Sequence, residues 1–242
     1  MALADLMQIS NKKQKKMGLS EDRVKAIIPV ARQYVAFWRE YPDMFVDYLQ
    51  TGGDPTRKKT LNFYFYQRVF LRAAMRYKYV YMVFPRAYSK SFLSMIVLTC
   101  RCVLYPRAKL FVTSGGKQQS AGIVREKVEE ICTLVPAFRK EIDWGRGQTQ
   151  EGKDYCKYVF KSGSYFDNLA ARESSRGKRR QGGLVEECVG VDGKILSEII
   201  LPRLWGIIMK IIIENKVNAR KSGVYYFSNK LTGNRTNPVL SF

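Results

Sequence analysis

The sequence predicts an α/β fold in which a mostly parallel sheet is flanked by helices, with a small helical segment at the N-terminus. From Leu61 onward, short runs rich in aromatic and branched residues alternate with helical patterns. Such alternation is typical of strands that are joined by helical crossovers. The chain has 242 residues, of which 46% are hydrophobic, and this is enough for one domain with a buried core.

The first 60 residues are predicted to form the helical segment, and residues 61–242 the sheet domain. Ser20, which two acidic residues follow, marks the start of a helix, because the helix dipole favours negative charge at that end. This helix ends at Tyr41, and "PDMFVDYL" predicts a second one before the loop "TGGDPT". The apolar positions at helical spacing in the first helix are Val24, Ile27, Ile28, Ala31, Tyr34, Val35 and Trp38.

In the sheet domain, helices and strands are predicted in alternation. The predicted helices are "NFYFYQRVFLRAAMR", "SFLSMIVLTCRCVLY", "KQQSAGIVREKVEEICTLV" and a core helix around Trp205. The predicted strands are "YKYVYMVF", "KLFVTS", two short strands around a Ser-Gly turn in "CKYVFKSGSYFDNLAA", then "LVEECVGV" and "GVYYFSN". The helix after the first strand is apolar on nearly all sides, so we expect it to be buried.

The composition indicates a polyanionic partner. The chain carries 42 Lys and Arg against 21 Asp and Glu, a formal net charge of +21. Such an excess on a folded domain favours binding to nucleic acid, because each phosphate that is neutralised releases a counterion. The alternative is that the charge serves only solubility.

The sequence excludes several kinds of site. It has no histidine, and its five cysteines form no CxxC pair, which argues against a zinc site and a His-activated nucleophile. Free thiols in apolar segments fit a reducing, cytosolic compartment. The apolar stretch "ILSEIILPRLWGIIMKIII" is interrupted by Glu198, Pro202, Arg203 and Lys210, which argues against a membrane span. We expect a buried element, a break at the proline and then the core helix.

The segment "FPRAYSKSF" lies between a predicted strand and the buried helix. Lys90 and Ser91 fit the last two positions of the phosphate-loop pattern G-x-x-x-x-G-K-[ST], whereas Phe84 and Ser89 occupy its glycine positions. A loop in this context directs backbone amides and a helix N-terminus at an anion. The alternative is a basic turn between two buried segments.

A pair of acidic residues ends another predicted strand, in "GGLVEECVGVD". In nucleotide hydrolysis, one such acid holds Mg²⁺, and the next orients and polarises the attacking water. Glu186 and Glu187 have the positions for these two roles. Adjacent carboxylates also occur on solvated helices, but two acids at the end of a buried strand are less ordinary, because buried unpaired charge is costly.

Together these features resemble the ATPase domain of the large terminase subunit, the motor that packages DNA into the capsids of tailed phages and herpes-type viruses. The resemblance covers most of the chain from about Pro42 onward, and it implies a P-loop NTPase fold of the ASCE type. In that family the loop is usually Arg-x-x-Gly-Lys-Ser/Thr, to which "RAYSKS" is similar except at Ser89. The segment "EIILP" is similar to the one that follows the family's acids. We expect Ser89 to reduce nucleotide affinity, because glycine lets the backbone approach a phosphate without a Cβ.

The resemblance implies that the chain binds ATP and Mg²⁺. In "FYQ", Tyr66 would stack on adenine and Gln67 would pair with its edge. Ser91 and Glu186 would hold Mg²⁺, and Glu187 would act on the water; the family usually has Asp-Glu where this chain has two glutamates. The loop residues implied in nucleotide binding are Arg86, Ala87, Tyr88, Ser89, Lys90 and Ser91.

Two further motifs follow from the resemblance. Arg176-Gly177 matches an Arg-Gly before the acidic strand, where in a ring of subunits the arginine enters the neighbouring site and stabilises the transferred phosphate. The alternative is that Arg176 contacts only DNA or solvent, together with the basic residues at 178–180. "FSN" is similar to the coupling motif that senses the γ-phosphate, through Ser228 and Asn229.

The resemblance also implies partners and a location. These are double-stranded DNA, a portal protein, a small terminase subunit and copies of the chain in a ring, in the host cell cytoplasm rather than as a stable part of the virion. Complete large terminases carry a second, RNase-H-like nuclease domain. The ATPase motifs extend to about Asn229, so we expect no nuclease domain and no nuclease activity from this chain.

Three other function classes compete with a packaging motor. A helicase-like ATPase also has an upstream glutamine, and it would separate a forked duplex. A non-catalytic basic DNA-binding protein would have its Lys-Ser and Glu-Glu pairs by coincidence. A membrane-surface protein is disfavoured, because the positive charge is spread along the chain rather than gathered on an amphipathic helix.

Overall fold

The computed structural model describes residues 21–85, 87–114, 116–169, 180–186, 194, 210–215 and 239–241. Within these residues, the helices are α1 (Glu21–Glu40), α2 (Pro42–Thr51), α3 (Phe65–Arg76), α4 (Lys90–Leu104), α5 (Lys117–Leu134) and α6 (Pro136–Glu141). The strands are β1 (Tyr79–Phe84), β2 (Lys109–Thr113), β3 (Gln150–Glu151), β4 (Cys156–Val159), β5 (Tyr165–Asn168), β6 (Gly182–Glu186), β7 (Lys210–Asn215) and β8 (Val239–Ser241).

The strands form one mixed sheet in the order β3-β4-β5-β2-β6-β7-β1-β8. The pairs β5–β2, β2–β6, β6–β7, β7–β1 and β1–β8 are parallel. The pairs β3–β4 and β4–β5 are antiparallel, and the predicted Ser-Gly turn joins β4 to β5. Strand β7 therefore lies between β1 and β6, so the strand before the Lys-Ser loop and the strand that carries Glu186 are not neighbours.

The apolar stretch near the C-terminus is a correction to the sequence analysis. The predicted core helix extended to Ile213, but residues 210–215 form strand β7, which is hydrogen-bonded to a parallel strand on each side. A central parallel strand is often a continuous run of branched residues, and such a run is not distinguishable from a buried helix by periodicity. Trp205 and "GVYYFSN" lie outside the described residues.

Helix α4 is the central helix of the core. Every residue from Phe92 to Leu104 is buried, as its sequence predicted, and the helix packs on α1, α3, α5 and strands β5 and β6. The Arg39 guanidinium, from α1, donates two hydrogen bonds to the Leu104 carbonyl, at 3.0 and 2.7 Å. Because the last carbonyls of a helix find no amide donor within it, this contact satisfies one of them and fastens α1 to the end of α4.

Helix α1 buries less of its apolar face than its periodicity predicts. Val35 and Trp38 are buried, whereas Ile27 is 42% exposed and Tyr34 is 55% exposed. The buried positions lie in the C-terminal half of the helix, where α2, α3 and α4 pack against it. The amphipathic pattern predicted the helix correctly but overestimated how much of its apolar face is buried.

An ion-pair network joins α2 to α3. Asp43 is fully buried, and Arg72 binds both of its oxygens, at 2.9 and 2.8 Å. Arg68 bridges Asp43 at 2.9 Å and Asp47 at 3.1 Å, and Lys59 also contacts Asp47, at 3.0 Å. Burial alone would raise the pKa of Asp43, but the hydrogen bonds and charges of Arg72 and Arg68 hold that pKa below its usual value.

Packing requires a glycine at position 183 of β6, the strand that carries Glu186. Gly183 lies beside Phe111 of β2, and a Cβ atom at position 183 would overlap the Phe111 ring. Both glycines of the "GG" in the sequence motif belong to strand β6, which begins at Gly182. A bulkier residue at position 183 would displace β6 or β2.

The remaining general predictions concern thiols and membranes. Cys100, Cys102, Cys132 and Cys156 are buried free thiols, and burial raises the pKa of each one. Across the part of the chain that the structure describes, we found no helix both long and apolar enough to cross a membrane.

Candidate functional site

The Lys-Ser loop connects the end of β1 to the start of α4. Two of its residues have backbone conformations that favour glycine: Ala87 has φ of 68°, and Ser89 has φ of 52°. Ser89 therefore adopts the left-handed conformation that glycine would take in a phosphate loop, although it carries a Cβ. A non-glycine residue in this region costs about 1 kcal/mol or more, so the surrounding structure holds the loop in this shape.

The N-terminus of α4 presents backbone donors at this loop. The first helical hydrogen bond runs from the Leu93 amide to the Ser89 carbonyl, at 2.9 Å. The amides of Lys90, Ser91 and Phe92 precede it and therefore have no acceptor within the helix. Lys90 and Ser91 are half-buried at this helix end. Amides, the helix dipole and a lysine together form an environment that favours an anion.

Glu186 lies at the same edge of the sheet as this loop. In the strand register, Glu186 of β6 is level with Ile213 of β7, which is level with Met82 of β1. All three strands are parallel, so the carboxyl ends of β1 and β6 point the same way, two strand spacings or about 10 Å apart. Glu186 is 1% exposed. A buried carboxylate thus lies near the carboxyl edge of the sheet, level with Met82, two residues before β1 ends.

An aromatic cluster borders the loop. Tyr66, at the start of α3, lies with its ring centre 5.4 Å from that of Tyr88 in the loop and 6.4 Å from that of Phe84 at the end of β1. Tyr64 is nearly parallel to Tyr66, with ring centres 6.1 Å apart. The structure thus brings Tyr66, predicted as the adenine contact, to the Lys-Ser loop, although the two are separated along the chain by β1 and most of α3.

Gln67 is held within the first turn of α3. Its Oε1 accepts a hydrogen bond from the Tyr64 amide at 2.9 Å, and its Nε2 donates one to the Tyr66 hydroxyl at 3.3 Å. The side chain is 7% exposed. This is a capping-box arrangement, in which the residue at the third helical position returns to the residue before the helix.

The donor chemistry of the site suits Mg²⁺. The two predicted metal-holding residues, Ser91 and Glu186, supply a hydroxyl and a carboxylate, and hard oxygen ligands are those that Mg²⁺ prefers. One is on the first turn of α4, and the other is at the end of β6, at the same sheet edge. The residues present therefore fit the ion.

Five predicted site residues lie outside the described part of the chain. They are Arg86, Arg176, Glu187, Ser228 and Asn229. Their roles stay predictions.

Arg180, one of the basic residues at positions 178–180, does not face solvent. Arg180 binds Asp167 of β5 through two hydrogen bonds, at 2.6 and 3.1 Å, and its side chain is 11% exposed. Its guanidinium also lies over the Tyr165 ring, 5.3 Å from its centre. Sequence reasoning missed this pair because the two residues belong to segments that only the fold brings close.

The substitution Ser89→Gly is expected to raise nucleotide affinity and thermal stability. Glycine removes the Cβ that the left-handed conformation disfavours, which is worth roughly 1 kcal/mol of stability. Without that Cβ the loop backbone can also approach a phosphate more closely, so the affinity for ATP should rise. Calorimetric titration with ATP and a thermal melt measure the two effects. Ser94→Gly is a control, because Ser94 lies inside α4, where glycine should destabilise. An affinity for ATP that falls in Ser89→Gly would contradict this account of the loop.

Comparison with known proteins shows which solved structures share this fold. No family model and no curated protein matches the sequence. The structure is similar to the crystal structure of the HK97 bacteriophage large terminase, with a TM-score of 0.59 and 13% identity over 75% of this chain and 40% of that one.

A second similar protein is the large terminase of a thermophilic bacteriophage. One crystal form matches with a TM-score of 0.56 and 11% identity, over 75% of this chain and 46% of that one. Its complex with ADP matches with a TM-score of 0.51 and 12% identity, over 74% and 45%. The chain thus spans less than half the length of these proteins. Its structural neighbours are phage large terminases, and it has their P-loop-type α/β fold.

Proposed function

We propose that this chain is the ATP-hydrolysing motor of a phage large terminase, which moves double-stranded DNA into a procapsid. The observation that carries the proposal is that the Lys-Ser loop and the buried Glu186 lie at one edge of the sheet, on β1 and β6, with β7 between them. A strand between the one that precedes the phosphate loop and the one that carries the acid, as β7 is here, supports the ASCE class of P-loop ATPase. The similar fold of the HK97 terminase and of the terminase from the thermophilic phage supports the same conclusion.

The Lys-Ser loop would bind the triphosphate. The amides at the start of α4 and the ammonium of Lys90 offset the negative charge of the phosphates, and Lys90 stabilises the charge that develops during transfer. Ser91 and Glu186 would hold Mg²⁺, which when bound neutralises part of the phosphate charge. Tyr66 and Gln67 border the nucleoside side.

The attacking water would be oriented by the second acid. The Glu187 carboxylate would accept a hydrogen bond from the water and take up its proton as the oxygen attacks the γ-phosphorus, while the bond from the γ-phosphorus to the bridging oxygen breaks and ADP leaves. Arg176 would come from the neighbouring subunit, and such arginines are worth about 10³–10⁵ in rate. Ser228 and Asn229 would sense whether the γ-phosphate is present.

The net charge of +21 supports a role on DNA. In this proposal, copies of the chain form a ring on a portal protein, with a small terminase subunit as a further partner in the host cytoplasm. The helical N-terminal segment, residues 1–60, moves against the sheet domain, residues 61–242, as the nucleotide changes. Basic surface follows the phosphate backbone of the duplex.

A DNA-stimulation assay tests the proposal. ATP hydrolysis per subunit should rise with duplex DNA and with protein concentration, because Arg176 acts between subunits. Displacement of a triplex-forming strand should report movement along the duplex, without separation of a forked duplex. Fork separation would instead indicate a helicase-like ATPase, and DNA binding without hydrolysis would indicate a non-catalytic DNA-binding protein.

A mixing experiment tests the shared site. Lys90→Ala and Arg176→Ala chains should each be nearly inactive alone. An equal mixture should recover part of the activity, because some neighbouring pairs combine an intact loop with an intact arginine. No recovery, with both variants folded, would contradict an arginine that acts between subunits.

A further inference from the structure

We propose that this site holds the base by aromatic stacking on Tyr88 and Tyr64 and does not read the hydrogen-bonding edge of the base, so that ATP and GTP bind with similar affinity. This inference rests on the proposed function, and it names the class of nucleotide that the site accepts.

The first argument is the exposure of the rings. Tyr66 is half-buried, and rings of Tyr64, Phe84 and Tyr88 already surround it. Tyr64 is 71% exposed, and Tyr88 is 41% exposed. These two rings therefore offer exposed aromatic surface to a base, and Tyr66 contacts both of them.

The second argument is the position of Tyr88. It lies two residues before the lysine of the loop, and the left-handed residues Ala87 and Ser89 flank it on both sides. This backbone presents the Tyr88 ring toward Tyr66, at 5.4 Å between ring centres. A nucleotide whose phosphates meet the Lys-Ser loop would therefore have an aromatic surface beside it, built partly from the loop itself.

The third argument concerns Gln67, which the family resemblance assigns to the adenine edge. Its oxygen accepts from the Tyr64 amide, and its nitrogen donates to the Tyr66 hydroxyl. Reading a base would require Gln67 to give up the cap of α3, and the side chain is 7% exposed. We infer that Gln67 is a positioning residue, which fixes Tyr64 and Tyr66.

The polar atoms of the cluster cannot replace that edge contact. Adenine and guanine differ in donors and acceptors on the same edge, and a site that selects between them needs groups of fixed polarity. The hydroxyls of Tyr64 and Tyr88 can each donate or accept, and the Tyr66 hydroxyl already accepts from Gln67 Nε2. Stacking tolerates any base, because every base has a π-face.

Binding measurements on the full chain test the inference. The probes are ATP, GTP and inorganic triphosphate, each with Mg²⁺, titrated by calorimetry. We expect dissociation constants for ATP and GTP within about fivefold of each other. Tyr88→Ala should weaken both by about tenfold, the typical value of one base–aromatic stack, and should leave triphosphate binding unchanged. Tyr88→Phe keeps the ring and should retain most of the affinity.

Two further variants separate stacking from edge reading. Gln67→Glu keeps the oxygen that caps α3 but removes the amide donor, so the ratio of ATP to GTP affinity should not change. Tyr77→Ala is the matched control, because Tyr77 has the same 41% exposure but lies at the other end of α3. It should bind all three probes like the parent.

The outcomes distinguish this inference from the proposed function. A preference for ATP over GTP of about a hundredfold or more, or a ratio that changes in Gln67→Glu, would overturn base-indifferent stacking and leave the ATPase proposal standing. Unchanged ATP binding in Tyr88→Ala would do the same. If ATP, GTP and triphosphate all fail to bind, the proposed function itself is wrong.

Discussion

Lys90→Ala is expected to lower the rate of ATP hydrolysis by about 10²–10³-fold, the usual effect of removing one preorganised group that stabilises transition-state charge. Lys90 is the first residue of α4, at the end of the loop that follows β1, and it is half-buried. Its loss should leave the fold intact, because the buried residues of α4 begin at Phe92. Steady-state hydrolysis and thermal unfolding measure the two effects.

A matched control is a lysine at the opposite edge of the sheet, where the parallel strands begin. Lys109→Ala removes the same charge, but Lys109 is the first residue of β2, at the amino end of a strand parallel to β6. Its hydrolysis rate should stay near that of the parent.

Glu187→Gln should behave like Lys90→Ala, because the amide cannot take up a proton from water. Parental hydrolysis in both Lys90→Ala and Glu187→Gln would contradict an ATPase.

Asp43→Ala is expected to lower the free energy of unfolding by about 1.5–3 kcal/mol, the usual worth of hydrogen bonds to a charged group, because the arginines left behind are partly exposed to water. The substitution leaves Arg72 without its bidentate acceptor and Arg68 with Asp47 alone. Chemical denaturation of parent and variant measures the difference. Asp54→Ala is the control, because Asp54 lies on an exposed loop and should change stability little.

The same carboxylate gives a pH dependence with a definite sign. The pKa of Asp43 is lowered in the folded protein, so its contribution to stability is present above the unfolded value, near 3.8, and is lost as the pH falls through the folded pKa. The stability difference between parent and Asp43→Ala should therefore shrink below about pH 3.8. A difference that stays constant from about pH 6 to about pH 2.5 would contradict this role.

Local sequence patterns predicted most elements that flank the site. The helix from Lys90 and the strand before it were evident, because an aromatic, branched run and a long apolar run differ in length and period. Strand β7 was not evident, because the three isoleucines at 211–213 fit either a buried helix or a central strand. Only pairing with β1 and β6, which are distant in sequence, decides between the two.

Side-chain partners between distant segments were beyond sequence reasoning. The pair of Arg180 with Asp167 depends on the order of strands β5, β2 and β6, which no local pattern encodes. The role of Gln67 in the helix cap depends on the side-chain rotamer, which the motif "FYQ" leaves open. By contrast, the sequence did single out Ser89, because serine stands where the phosphate-loop pattern has glycine, but only the structure shows its left-handed backbone.

The contact between Arg39 and the Leu104 carbonyl has a mechanical consequence. Helix α4 has 15 residues and is about 22 Å long, with the Lys-Ser loop at one end and the Arg39 guanidinium at the other. A stiff rod transmits an axial push over its whole length. A displacement of the loop along the axis of α4 would therefore reach α1 at the far end, through the Arg39–Leu104 hydrogen bonds and through the packing of α1 on α4.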